Sequence, residues 1–164
     1  MKDKGIILSI LGFTLLIIIG GGFLVGKASS ATNIQASLDV KIQIEERSFA
    51  WGEIKYDGAK AAKTFKIKNA GTDTLKVWNV KTSCACTSAQ IRVGQDSSPL
   101  FSMHTNSSWV GQISPGAEAE LEVVFDQRYH GPSGVGQITR QITMQTNDSS
   151  SPSLEFSLSG TVTK

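Results

Sequence analysis

The sequence predicts an all-β domain, an antiparallel two-layer sandwich of about seven strands, carried behind one N-terminal transmembrane helix. Three observations predict it. Apolar and polar residues alternate through most of residues 38–164, turn signals rich in Gly and Pro separate the runs, and residues 5–26 form an uncharged apolar stretch behind Lys2 and Lys4.

The leader comes first. Residues 1–4 carry the charges of Lys2, Asp3 and Lys4, and the apolar run that follows includes Ile6, Leu8, Leu11, Phe13, Leu15, Ile17, Ile19, Phe23 and Val25. About 20 helical residues at about 1.5 Å each cross the hydrocarbon layer of a membrane. A cleavable signal peptide has a shorter apolar run, although the small residues 28–31 offer a cleavage site and keep that alternative open. The length favours an uncleaved anchor. Basic residues before the segment put the N-terminus inside and the domain outside, in the periplasm or on the cell surface. Residues 27–37 are small and polar and read as a tether, so the domain begins at residue 38.

The strands follow in order. Leu38, Val40, Ile42 and Ile44 alternate with Asp39, Lys41, Gln43 and Glu45. Phe65 and Ile67 alternate with lysines and a threonine, and Asn69-Ala70-Gly71 supplies the next turn. Leu75 and Val77 continue, with Val80 out of phase as a bulge would leave it. Leu121, Val123 and Phe125 share one face; Ile138, Ile142 and Met144 share another, with Arg140 falling among them. Leu154, Phe156 and Leu158 close the set before Gly160 and Val162. Pro115-Gly116 and residues 131–134 punctuate between runs. Half-polar faces favour an antiparallel, immunoglobulin-like sandwich over a buried parallel sheet. Its core is expected to hold Phe65, Ile67, Leu75, Val77, Leu121, Val123, Phe125, Phe156 and Leu158. Residues 88–112 read as one long irregular loop, and such loops are functional or disordered.

Charge excludes one class of partner. Lys2, Lys4 and Lys27 against Asp3 account for the whole formal excess of +2, which leaves the domain neutral. No basic cluster remains to track phosphates, so nucleic acid is rejected. Nor does any P-loop, dinucleotide fingerprint, nucleophile elbow or metalloprotease helix occur, so no enzyme is expected.

The residues that carry chemistry lie in Thr82-Ser83-Cys84-Ala85-Cys86-Thr87, which holds both cysteines of the chain. An oxidising compartment suggests a disulfide. On an extended strand, however, residues two apart have Cα atoms about 6.6 to 6.8 Å apart, at the far edge of disulfide geometry. The same spacing aims two thiolates at one point, as soft metals require. Two small buried hydrophobes would also fit, and metal, redox and structural readings stay open on this motif alone. Met103-His104 in the long loop and His130 in the next connection add a thioether and two imidazoles. Thiolate, thioether and imidazole together suit Cu(I), whereas zinc would need no Met103. His104 is the favoured third ligand. His130 joins only if two loops meet at one end of the sandwich.

At these residues the chain resembles a bacterial immunoglobulin-like family, domain-of-unknown-function family 1573. The matching features are Phe49-x-x-Gly52-x-Ile54, Phe65-x-Ile67-x-Asn69-x-Gly71-x-x-x-Leu75, Val80, Cys84-Ala85-Cys86-Thr87 and Pro115-Gly116. They continue through Val124-Phe125-Asp126, Thr146-Asn147-Asp148 and Gly160-x-Val162, covering about residues 45–163. Ala85 stands where the family usually has Gly. The long loop resembles that of a subset carrying Pro-x-Phe-x-Met-His. The resemblance implies an extracytoplasmic domain without established catalysis, and supplies no metal by itself. The leading expectation is a membrane-tethered sandwich binding copper through Cys84 and Cys86, helped by Met103, His104 and His130. The alternative is a structural or interaction module contacting another cell-envelope protein.

Overall fold

The computed structural model describes residues 11–15 and 34–164. Residues 11–15 are helical. Among the described residues no helix is long and apolar enough to cross a membrane, and the expected anchor over 5–26 lies mostly outside them.

Residues 34–164 fold as one unit. Its strands are β1 (Ile42–Gln43), β2 (Ser48–Lys55), β3 (Ala61–Asn69), β4 (Leu75–Thr82), β5 (Thr87–Val93), β6 (Asp96–Ser97), β7 (Val110–Ile113), β8 (Glu118–Phe125), β9 (Gly136–Thr146) and β10 (Ser153–Thr163). They form two five-stranded sheets, ordered β1-β3-β8-β5-β6 and β2-β10-β9-β4-β7. All nine expected core residues lie between the sheets, each at most 2% exposed. The period of two puts alternate side chains of each strand on the inner face, which is why the alternation located them.

Four expectations change. Ten strands replace about seven, because residues 88–112 are not one loop. Thr87, Ala89 and Ile91 are buried in β5, and the buried Phe101 pairs with Ala89 through two backbone hydrogen bonds of 2.8 and 2.9 Å. Small side chains at Thr87 and Ala89 hide that alternation from a hydrophobicity reading. Secondly, the sandwich is not wholly antiparallel, since β2 pairs parallel with β10 along one edge. Thirdly, Leu38 is 89% exposed and β1 has only two residues. The chain there is tied to a turn rather than a sheet: Asp39 O accepts the amides of Thr72 and Asp73, at 2.8 and 3.3 Å. Gly71 permits that approach, for a Cβ would sit 2.2 Å from Asp39 O. The fourth change concerns the cysteines and is described with the site.

Two irregularities shape the second sheet. β4 shifts register against β9 between Trp78 and Lys81, where Asn79 has φ 52°, and this puts Val80 back on the inner face. β2 shifts against β10 beside Gly52, whose φ is 71°. The inward residues are Phe49 and Trp51 before that bulge and Ile54 after it.

Candidate functional site

β4 belongs to one sheet and β5 to the other, so residues 83–86 carry the chain across the end of the sandwich. They do so in a tight turn: Thr87 N donates to Cys84 O at 3.1 Å. The buried Thr82 hydroxyl lies 2.9 Å from Cys84 O and 3.0 Å from Thr87 O and shares its hydrogen between them. Asp126 N donates to Cys86 O at 2.9 Å and fastens the turn to the end of β8.

The turn corrects the argument against a disulfide. Cys84 and Cys86 do not lie on an extended strand. Their Cα atoms are 5.2 Å apart, within disulfide reach, and their sulfurs are bonded at 2.04 Å. Cys86 is buried in a small apolar cluster with Ile54, Phe125 and Val162, while Cys84 is half-buried at its rim.

Two further side chains meet the sulfurs. Arg140, on β9, donates from Nε to Cys86 Sγ at 3.1 Å. Its Cζ lies 5.0 Å from the centre of the Phe125 ring, and Nη1 donates to Thr139 O at 2.8 Å. Burial lowers the pKa of this guanidinium, which nevertheless stays charged near neutrality. His130 approaches from the β8–β9 connection, its Nε2 3.6 Å from Cys84 Sγ. That connection is fixed at its start by Asp126, which accepts the Arg128 amide at 3.0 Å and pairs with Lys60 at 2.7 Å. The hydrogen bond from Lys60 holds the Asp126 carboxyl below its ordinary range. Gly131, at φ 67°, then turns the chain into a short 3-10 helix, Gly131–Gly134.

The two loops therefore do meet at one end of the sandwich. The ligand atoms of Cys84, Cys86 and His130 all lie within 4.8 Å of one another, and His104 is not in that group. Met103 and His104 are exposed at a turn between Phe101 and Thr105. That turn is held by Ser102 N donating to Thr105 Oγ1 at 3.0 Å and by Lys81 Nζ donating to Thr105 O and to Asn106 Oδ1. Sequence reasoning placed Arg140 on an apolar face but did not assign it to the site. Its signal was present, as a charged residue in phase with Ile138 and Ile142 on an apolar face.

Two five-stranded sheets, joined at one end by a disulfide turn with an arginine and a histidine on its sulfurs, define a two-layer β-sandwich with a polar, sulfur-containing corner. The model of the family described as "Protein of unknown function (DUF1573)" matches residues 42–96, less than half of the chain and including the Cys84–Cys86 turn. None of the curated proteins matches the chain in sequence. Among solved structures, a protein of unknown function from Porphyromonas gingivalis W83 is similar, with a TM-score of 0.57 and 17% identity over 80% of this chain and 50% of that one. The chain thus spans half the length of that protein. The ASH / PapD-like domain of human CEP192 (PapD-like domain 7) has a TM-score of 0.49 and 15% identity, over 83% of this chain and 94% of that one. At such identities the likeness concerns the fold alone.

Proposed function

We propose that the chain is a non-catalytic, membrane-anchored, extracytoplasmic module whose Cys84–Cys86–His130 corner is a redox-gated site for a soft metal, Cu(I). The observation that carries this reading is the convergence of two sulfurs and one imidazole within 4.8 Å. In the disulfide form the sulfurs have no thiolate to offer, and the site is closed. Reduction releases two thiolates beside His130 Nε2, a three-donor set suited to Cu(I). Met103 and His104 fall outside the proposed ligand set, since they sit on a separate exposed turn. The disulfide also supports an extracytoplasmic location, because such bonds persist where the surroundings oxidise. The anchor is proposed from the uncharged run over 5–26.

The test is an anaerobic competition titration of the reduced full-length chain against a Cu(I) chelator. Wild type should retain one ion, Cys84→Ser and Cys86→Ser should retain none, and His130→Ala should bind about tenfold more weakly or worse. His104→Ala and Met103→Ala should match wild type. Equal retention by wild type and the double cysteine variant would end the metal reading. External protease on intact spheroplasts should digest the domain, and full protection would overturn the topology.

The second reading, an interaction module for another envelope protein, draws on Leu100 and Met103, which are exposed in the same connection. A loop variant carrying Leu100→Ser and Met103→Ser would then lose a co-purifying envelope partner while keeping copper.

A further inference from the structure

Arg140, though hydrogen-bonded to Cys86, supplies no ligand to the proposed copper site, because a charged guanidinium has no lone pair to give. It does have a use when the sulfur–sulfur bond breaks. The two cysteines differ in access: Cys86 is 3% exposed, whereas Cys84 is half-buried at the rim beside the exposed His130. They also differ in electrostatics, because the cation touches the buried sulfur only. A thiolate arriving from solvent meets Cys84 first, and the negative charge expelled by its attack appears on Cys86. There it is received by the Nε–H of Arg140, already at 3.1 Å and backed by the Phe125 ring.

We infer that this corner is a thiol–disulfide exchange centre, with Cys84 the exchanging sulfur, Cys86 the leaving sulfur and Arg140 its positioning residue. The co-reactant is a dithiol of a protein or small molecule. One of its thiolates bonds to Cys84 Sγ, and the Cys84–Cys86 bond breaks with its electron pair going to Cys86. The second thiol of the reductant then attacks the mixed disulfide and releases Cys84 Sγ. The reductant leaves as a disulfide, and both cysteines have gained one electron and, after protonation, one proton each.

The fold is built to survive the change. The bond closes a ring within one turn, and although the Cys86 amide donates to Cys84 Sγ at 3.1 Å, the hydrogen bonds from Thr82, Thr87 and Asp126 hold that turn through backbone oxygens. Loop closure over so few residues removes little entropy from the unfolded chain, so opening the bond should leave the domain folded.

The experiment uses the full-length chain in mild detergent. Dithiothreitol is the dithiol probe, and released thiols are trapped and read by mass spectrometry. Arg140→Gln should slow reduction about tenfold, the effect of losing one charge-assisted hydrogen bond as charge develops. Arg140→Lys, which keeps a cation, should retain most of the rate. Oxidised glutathione probes the single variants: Cys86→Ser should form a mixed disulfide at Cys84 at least about tenfold faster than Cys84→Ser forms one at Cys86. An Arg140→Gln rate equal to wild type, Arg140→Lys as slow as Arg140→Gln, or preferential trapping at Cys86 would each overturn the assignment. Exchange without copper retention sinks the metal reading alone. Copper retention by chemically reduced protein without these rate differences sinks this inference alone.

Discussion

Replacing Phe125 by alanine removes the aromatic side chain of the small buried cluster that also holds Cys86. Phe125 is 2% exposed, its ring is stacked on Trp51 at 5.9 Å between centroids, and Arg140 Cζ lies 5.0 Å from the ring centre. Truncating a buried Phe costs about 3 to 5 kcal/mol, against a total stability of about 5 to 15 kcal/mol. For a unit of this size each kcal/mol is worth roughly 3 to 5 °C, so Phe125→Ala should melt about 10 to 20 °C lower. Phe125→Leu keeps most of the volume and loses only the ring contacts. The aromatic pair contributes about 0.5 to 1.5 kcal/mol. The cation–π contact contributes about 0.5 to 2 kcal/mol. Leucine should therefore cost roughly 1 to 3 kcal/mol. Both variants would be compared with wild type by urea and thermal unfolding followed by near-ultraviolet circular dichroism. Unchanged melting and an unchanged urea midpoint in Phe125→Ala would refute the core placement. A Phe125→Leu variant identical to wild type would refute the ring contacts while leaving the core intact.

Gly71→Ala should destabilise by about 1 to 3 kcal/mol in urea, because its Cβ would meet backbone atoms of Asp39 and Lys41 that have no room to yield; a neutral result would mean the 39–41 segment is not fixed against the turn. Acid should weaken the fold through Asp73 and Asp126. Both carboxyls are held below their ordinary value of 3.8, Asp73 chiefly by the Ser37 hydrogen bond and Asp126 chiefly by that of Lys60. Below that value the unfolded chain binds more protons than the folded one, so their contribution is complete above pH 3.8 and drains away as pH falls further. Asp126→Asn should flatten the acid limb of a stability-against-pH curve, and an unaltered limb would remove Asp126 from that account.

Alternation made β3, β8 and β10 legible because each has large apolar residues at every second position: Phe65 and Ile67, Leu121 and Phe125, Leu154 to Leu158. β5 escaped because burial there falls on Thr87 and Ala89, whose side chains carry little hydrophobic signal. The parallel pairing of β2 with β10 was out of reach, since alternation specifies a strand's faces and says nothing of its neighbour. Within the site, the cysteines were legible and their bond was misjudged, because the local backbone was assumed extended where hydrogen bonds of Thr82 and Thr87 impose a turn. The choice between His104 and His130 could not follow from spacing. It depends on which connection shares an end of the sandwich with the β4–β5 crossing, a property of topology.

The bulge at Gly52 bears on how many copies of this domain can crowd together. Three strands at sheet ends are short, with two residues in β1, two in β6 and four in β7, and offer little ladder to another chain. β2 is eight residues long and pairs along one side with β10. A straight strand of that length with a free edge would invite addition of a second sheet, the first step toward fibrous aggregation. The shift beside Gly52 breaks the repeat in mid-strand, twists the edge and interrupts the regular spacing of its amides and carbonyls. Glu53 and Lys55 project as exposed charges just beyond it. An incoming strand could match one half of β2 or the other in register, not both, which lets neighbouring domains be held at high density without zipping together.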